Sequence, residues 1–485
     1  MAGIAGIASE NQDEWVTTAL NKIDHRGGAG KAVGSHQGAS LGQVWPSAQE
    51  LFASEIEDQA VVLDGEIHNW ATLSAGATSP AEALGAAYRE EGPQLLAALD
   101  GPFAMAIADA DGMFLARDSL GKSPLYYGSS NDNLCFASEV KALLHGEAEI
   151  SEFPPGHYYH AREGLVRYAQ IETQPTLDLP AEEVAVELRD RLVKSVRKRV
   201  REGETGSWLS GGLDSATMTA LAGRQVAGLK TFGVGVEGAP DLEYARAVAD
   251  YVGTEHHERL CTLEEMLAVL PEVIYHLESF DALLVRSSIM NFLVGKMASE
   301  QVGAVLSGEG GDELFAGYSY LKKMDLSELP DELVDITGRL HNTALQRVDR
   351  CSSSHGLVAR TGFLDREVLD YALQIPAEMK LRSHAGGAPV EKWILRRAMD
   401  GLLPDEVLER EKSKFWEGSG VGEMLAEHAE SVISDAEFAA ERALVDAIGV
   451  RTKEELFYYR IFRDQFGEGV DPGLVGRTKG APVAA

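Results

Sequence analysis

Short apolar runs broken by turn residues dominate residues 1–170. Ala60-Val61-Val62-Leu63, Phe103-Ala104-Met105-Ala106-Ile107-Ala108 and Gly112-Met113-Phe114-Leu115 each predict a strand. Between them Pro80-Ala81-Glu82-Ala83-Leu84, running on to Tyr88, carries helical spacing. The mix predicts a layered α+β domain. Residues 170–182 are polar and hold prolines, the composition of a linker. From Ala181 a helical run carries Val184, Val186, Leu188, Leu192 and Val196. Strands are then predicted at Ser207-Trp208-Leu209, at 229–236 and at Ala304-Val305-Leu306, each followed by a helix. That alternation predicts an α/β domain with a parallel, doubly wound sheet. No internal repeat or low-complexity tract is present.

Length and composition narrow the class. The 485 residues suffice for two or three domains. The boundaries read as 1–170, 183–470 and a flexible tail at 471–485. No uninterrupted apolar run reaches the roughly 18 residues of a membrane span, and Met1-Ala2-Gly3-Ile4 opens no signal peptide. Cys135, Cys261 and Cys351 lie far apart, without metal or disulfide spacing, which fits a reducing cytoplasm. Acidic residues outnumber basic ones 76 to 44, a net charge of −32. Such a field repels nucleic acid and anionic lipid. The acid is spread along the whole chain, which favours salt adaptation over an ordinary acidic enzyme.

Two loops carry the candidate chemistry. Trp208-Leu209-Ser210-Gly211-Gly212-Leu213-Asp214-Ser215 ends a strand, turns on glycines and starts a helix. Glycine lets backbone N–H groups approach a ligand, the helix N-terminus adds partial positive charge, and Ser210 and Ser215 add hydroxyl donors. The combination suits a pyrophosphate. Asp214 fits such a site by holding a Mg²⁺ that bridges phosphates. Leu306-Ser307-Gly308-Glu309-Gly310-Gly311-Asp312-Glu313 also follows a strand and precedes a helix, so both loops are expected at the carboxyl edge of one sheet. Asp312 is then a second candidate metal ligand, and Glu309 is placed near the reacting carbonyl. The bland reading, two solvated glycine-rich turns, has to be invoked twice in one domain.

This pair of loops resembles the signature of glutamine-hydrolysing asparagine synthetases. The resemblance spans nearly the whole chain, through His25-Arg26-Gly27, Asp64-Gly65-Glu66-Ile67, Phe136-Ala137-Ser138-Glu139-Val140-Lys141, Arg286-Ser287-Ser288, Phe363-Leu364-Asp365, Glu391-Lys392 and Arg410-Glu411-Lys412. It implies an N-terminal Ntn-type αββα sandwich that frees ammonia from glutamine. It also implies a C-terminal ATP-pyrophosphatase domain that makes a β-aspartyl adenylate, from which ammonia displaces AMP. ATP and Mg²⁺ are the implied cofactors. Matched residue by residue, Leu209, Val234, Ser307 and Gly308 resemble the adenosine contacts. Lys412 resembles the lysine that neutralises departing pyrophosphate. Glu309 resembles the carboxylate that positions the intermediate. Homodimerisation is implied by analogy alone.

The chain departs from that pattern in both halves. The family's nucleophilic cysteine, directly after the initiator methionine, is Ala2. An Arg-Leu-Ser-Ile-Val type segment is Leu41-Gly42-Gln43-Val44-Trp45, Asn-Gly-Glu is Asp64-Gly65-Glu66, and an aspartate that binds glutamine aligns with Pro80. Glutaminase activity is therefore expected to be absent, with free ammonia, a separate ammonia donor or another amine supplying nitrogen. A Thr-Thr pair before the matched arginine is Leu283-Leu284, which with Arg286 marks the acceptor pocket, and Val358 and Gly362 replace a glutamate and a proline. Three readings stay open: an ammonia-dependent asparagine synthetase-like enzyme, an adenylating ligase for a different carboxylate or amine (β-lactam synthetases also lack the cysteine), and a non-catalytic regulatory homologue.

Overall fold

Period-two alternation decides what each strand of the first unit buries. In the computed structural model, which describes residues 2–45, 53–56 (backbone only), 59–146, 149–382, 389–410, 421–444, 448–467 and 470–479, the chain forms two units. The first comprises Met1–Gln170, His341–Leu357 and Arg460–Arg477, and the second Ile171–Leu340, Val358–Tyr459 and Thr478–Ala485.

The first unit holds strands β1 (Gly3–Ile7), β2 (Gly30–His36), β3 (Ala39–Trp45), β4 (Ala53–Ile56), β5 (Gln59–Gly65), β6 (Phe103–Asp109), β7 (Gly112–Arg117), β8 (Tyr126–Ser130), β9 (Asn133–Ala137), β10 (Ser151–Glu152), β11 (His157–His160) and β12 (Gly164–Arg167). They make two six-stranded sheets, ordered β10-β8-β9-β1-β3-β2 and β12-β11-β7-β6-β5-β4. Val61 and Leu63 of β5, with Phe103, Met105 and Ile107 of β6, pack against the helix Pro80–Glu91. Their neighbours Ala60, Val62, Ala104, Ala106 and Ala108 point the other way, into the core shared with Ile4, Leu41 and Phe136 of the first sheet. The helix Asp13–Lys22 buries Val16, Ala19 and Leu20, and it lies against β1 and β3. The layers are therefore helix, sheet, sheet, helix, the αββα sandwich implied by the resemblance. All three cysteines are buried and free.

In the second unit, β13 (Thr205–Trp208), β14 (Lys230–Gly235), β15 (Glu255–Leu260), β16 (Ala304–Ser307) and β17 (Val358–Thr361) form one parallel sheet, ordered β15-β14-β13-β16-β17. The order reverses between β13 and β16, which makes their carboxyl ends the topological switch point. The predicted helix from Ala181 runs over Ala181–Arg199. Val184, Leu188, Leu192 and Val196 recur every fourth residue and are fully buried. Val186, counted with them in the sequence, sits on the opposite side and is 57% exposed. Among the described residues no helix is long and apolar enough to cross a membrane.

Alanine at 104, 106 and 108 fills the space between the two sheets, so a larger side chain there overpacks it. Ala106→Leu is expected to lower unfolding free energy by about 1–3 kcal/mol. Denaturant titration reads this as a lower midpoint at unchanged slope.

Candidate active site

β13 and β16 pair in parallel register, Ser207 opposite Leu306, so the two loops leave the sheet side by side. Gly212 caps the helix Leu213–Gly223 without a side-chain hydrogen bond. The first-turn N–H groups thus keep the positive end of the helix dipole open. Inside the loop the Ser210 N–H donates to Ser215 Oγ at 3.1 Å, the two hydroxyls lie 3.0 Å apart, and Ser215 Oγ–H donates to the Gly212 carbonyl at 3.1 Å. Leu209 directly follows β13 and Val234 lies one residue before the end of β14; both are buried, as is Ser307.

The second loop passes directly over the first. A Cβ on Gly308 would lie 2.8 Å from the Ser215 nitrogen, and one on Gly311 2.4 Å from Asp214 Oδ1. Glycine is required at both places by space alone. Asp214 and Asp312 thereby converge, and Lys392 Nζ lies 2.5 Å from Asp214 Oδ2 and 2.5 Å from Asp312 Oδ1. Lys392 is 1% exposed. It stands at the start of the helix Trp393–Ala398 with φ of +55°, and its N–H donates to the Phe315 carbonyl at 3.1 Å. A left-handed backbone costs an ordinary L-residue roughly 1–2 kcal/mol, a cost typically found where a side chain must be aimed. In the sequence Glu391-Lys392 carries only the family resemblance, with no role attached to Lys392. Nothing local in the sequence marks it, since the contact joins residues 178 positions apart.

The Lys392 ammonium stands between Asp214 and Asp312, and the two carboxylates are a donor pair of the kind Mg²⁺ takes, one or two carboxylates completed by phosphate oxygens and water. Among the described residues no group of three or more His, Cys, Asp or Glu side chains makes a fuller cage. Glu309 is half-buried in the same loop. The neighbouring Glu313 is buried, and its carboxyl is pushed up to about 7, first by burial and then by the charges of Asp312 and Glu309. Tyr318 Oη–H donates to it at 2.5 Å.

The remaining sequence candidates are placed differently. Leu283 and Leu284 form the buried first turn of the helix Ala282–Ser299, where the Asp281 carboxylate accepts the Leu284 N–H at 3.0 Å. Arg286 is held by Glu454 on both sides of its guanidinium, with Nε to Oε1 at 2.7 Å, and Tyr458 donates to the same carboxylate at 2.8 Å. Lys412 lies outside the described residues.

In the first unit, Ala2 is 2% exposed before β1, and its carbonyl accepts from Arg26 Nη1 at 3.1 Å. Around it lies a buried cluster that the sequence reading did not anticipate. Arg26 pairs with Glu139 (Nε to Oε1, 2.5 Å), with Asp349 and with Asp64 (3.5 Å). Glu139 also meets Lys141, Arg350 (3.2 Å) and His25 (3.1 Å). Burial opposes the charge on Glu139, but these cations hold it well below the usual carboxylate range. Asp64 goes the other way. Burial outweighs the pull of Arg26, Asp349 adds like-charge repulsion, and the carboxyl rises to about 7. Gln43, in the segment that departs from the family, accepts the Leu63 N–H at 3.0 Å through Oε1. Pro80 occupies the first turn of its helix, capped by Ser79.

Comparison with known proteins agrees with both units. Residues 187–335 and 330–473 match the protein family described as asparagine synthase, and residues 1–162 the one described as a glutamine amidotransferase domain. Asparagine synthetase B (glutamine-hydrolyzing) of Escherichia coli (strain K12) is 34% identical, with 90% of this chain and 84% of that protein covered. The probable asparagine synthetase (glutamine-hydrolyzing) of Schizosaccharomyces pombe is 34% identical over 96% and 94% of the two chains. Asparagine synthetase (glutamine-hydrolyzing) 2 of Arabidopsis thaliana is 34% identical over 87% and 78%.

The raised Asp64 carboxyl makes a prediction whose sign is fixed. Between its ordinary value of 3.8 and about 7, the folded chain holds a proton that the unfolded chain has released. This group's stabilisation is therefore complete below the ordinary value and is lost as pH rises toward 7. Asp64→Asn removes that dependence. Denaturation midpoints measured from pH 4 to 8 should diverge, with the variant gaining up to about 4 kcal/mol on the wild type over the interval.

Proposed function

Given that the chain belongs to the asparagine synthase family, we propose that it activates a small carboxylate with ATP and passes ammonia to the resulting acyl adenylate. At the coarser level it is an amide-forming carbon–nitrogen ligase. The convergence of Asp214 and Asp312 beside an uncapped helix N-terminus, at the switch point of a parallel sheet, carries this reading. In it, Leu209, Val234, Ser307 and Gly308 hold adenosine at the ends of β13, β14 and β16. Ser210, Gly211, Gly212 and Ser215 face the phosphates with hydroxyl and N–H donors. Asp214 and Asp312 hold Mg²⁺, which supplies Lewis-acid charge to the phosphate oxygens. Lys392, in contact with both carboxylates, adds a positive charge beside the phosphates.

A carboxylate oxygen of the acceptor attacks the α-phosphorus and pyrophosphate leaves. Ammonia then attacks the acyl carbon, AMP leaves, and the nitrogen gives up a proton. Glu309 lies in the loop that meets this centre and is assigned the task of positioning the intermediate and receiving that proton. Lys412 is assigned to the departing pyrophosphate.

Aspartate is the family's acceptor, but two observations favour a different acid. Leu283 and Leu284 offer no hydroxyl, and each missing hydrogen bond weakens a small charged ligand by about 0.5–1.5 kcal/mol, more where the partner is charged. Arg286 is already satisfied by Glu454. A less polar carboxylate suits this pocket better. Carboxylate-dependent ATP–pyrophosphate exchange over a panel of amino acids and small acids, at low and high salt, identifies the acceptor. Selective, tight use of aspartate would refute the altered pocket.

Nitrogen is expected from free ammonia, a separate ammonia donor or another amine. Ala2 offers no thiolate to form a thioester. Gln43 and Asp64, at positions where the family grips glutamine, are committed to β5 and to Arg26.

Asp214→Asn and Asp312→Asn should each slow pyrophosphate release by about 10²–10³. Turnover near normal in either would remove the metal roles. Glutamate release from glutamine should stay at background with ATP and acid present, while ammonium supports product. Ala2→Cys should not restore glutaminase activity, and a gain of it would show that the glutamine grips survive.

A further inference from the structure

The phosphate-facing loop is held from behind by a residue that the reaction scheme leaves unused. Arg410 is mostly buried. Its Nη1 donates to the Gly211 carbonyl at 3.1 Å, its Nη2 pairs with Asp241, and its Cζ lies 4.1 Å from the centre of the Tyr244 ring. The base of this clamp is itself fixed. Arg396 Nη1 donates to the Arg410 carbonyl at 2.9 Å, and Arg396 Nη2 reaches Glu391 at 2.6 Å, next to Lys392.

Gly211 adopts a φ of +73°, and a Cβ there would lie 2.5 Å from the Asp241 carbonyl oxygen and 2.6 Å from Tyr244 Cβ. The loop thus rests on the helix Pro240–Val252, with no side chain of its own to fix its rotation. In a trans peptide the carbonyl and the following N–H point in opposite directions. With the Gly211 carbonyl turned toward Arg410, the Gly212 N–H turns the opposite way and donates a long bond, 3.5 Å, to Ser210 Oγ among the other donors of the loop. Two consecutive glycines make this peptide easy to flip. The flip would replace an N–H donor by a carbonyl dipole aimed at the phosphates.

We propose that Arg410 is a positioning residue that locks the Gly211–Gly212 peptide with its N–H facing the triphosphate. A guanidinium suits the task because its rigid fork spans the carbonyl and the Asp241 carboxylate while its face stacks on Tyr244. The inference rests on the ATP reading above and deepens it.

The test compares ligands that share the adenosine contacts but differ in phosphates. In Arg410→Met, affinities for ATP and for inorganic pyrophosphate should fall about 10- to 100-fold, the worth of one hydrogen bond to a charged group. Adenosine affinity should change less than about twofold, and kcat at saturating ATP should largely survive while KM rises. Arg410→Lys, which can reach the carbonyl but not span both partners, should fall between. Asp241→Asn should shift the same ligands in the same direction, and it decides the matter if Arg410→Met does not fold. Unchanged ATP affinity, or equal loss for adenosine and ATP, would overturn the assignment. Wild-type protein that binds neither ATP nor pyrophosphate would instead refute the nucleotide reading on which it rests.

Discussion

Two carboxylates brought together in a buried site need either a proton on one of them or a cation between them, and in the second unit a cation stands there. The second unit is organised around that requirement. The strand order reverses between β13 and β16 and delivers Asp214 and Asp312 to one point. Lys392 supplies the counter-charge from a third segment, on a backbone bent into the left-handed region. The glycines around it are consequences of the same crowding. A Cβ at Gly317 would fall 2.0 Å from Asp312 Oδ1 and 2.3 Å from Lys392 Cε. Take the ammonium away and two like charges are left facing each other at close range.

The first unit solves the opposite problem. Its buried side chains satisfy one another. Gln43 is bonded to the β5 backbone, Pro80 starts a helix, and Arg26 is surrounded by Glu139, Asp349 and Asp64. A polar group already hydrogen-bonded inside a protein gains little from a new ligand, because the old bond must break first.

The readable part of this chain was what repeats locally. Short apolar runs between turn residues mark β5, β6 and β7, the fourfold spacing of Val184, Leu188, Leu192 and Val196 marks their helix, and glycine-rich turns after strands mark both loops at the switch point. Val186 shows the limit of such reading, since an apolar residue among others is counted with them until the helix face is known. What stayed hidden depends on distance along the chain. Lys392 meets Asp214, Arg26 meets Asp349 across 323 positions, and Arg286 meets Glu454 across 168. No local pattern encodes an ion pair of that span. The membership of His341–Leu357 in the first unit was hidden for the same reason.

The cluster around Arg26 sets Arg26, Lys141 and Arg350 against Asp64, Glu139 and Asp349, three buried cations against three buried anions. Deleting Arg26, Lys141, Arg350, Glu139 or Asp349 strands an opposite charge in a medium that cannot solvate it, at a cost of roughly 3–5 kcal/mol for a fully buried partner. Changes there survive best in compensating pairs, and the order in which they occur decides which intermediates can fold. Asp64 is the exception, because its carboxyl can shed its charge by taking up a proton near neutrality. It is the one position of the six where a single neutral replacement leaves the ledger of charges almost undisturbed, and so the natural first step on any mutational route into or out of this arrangement.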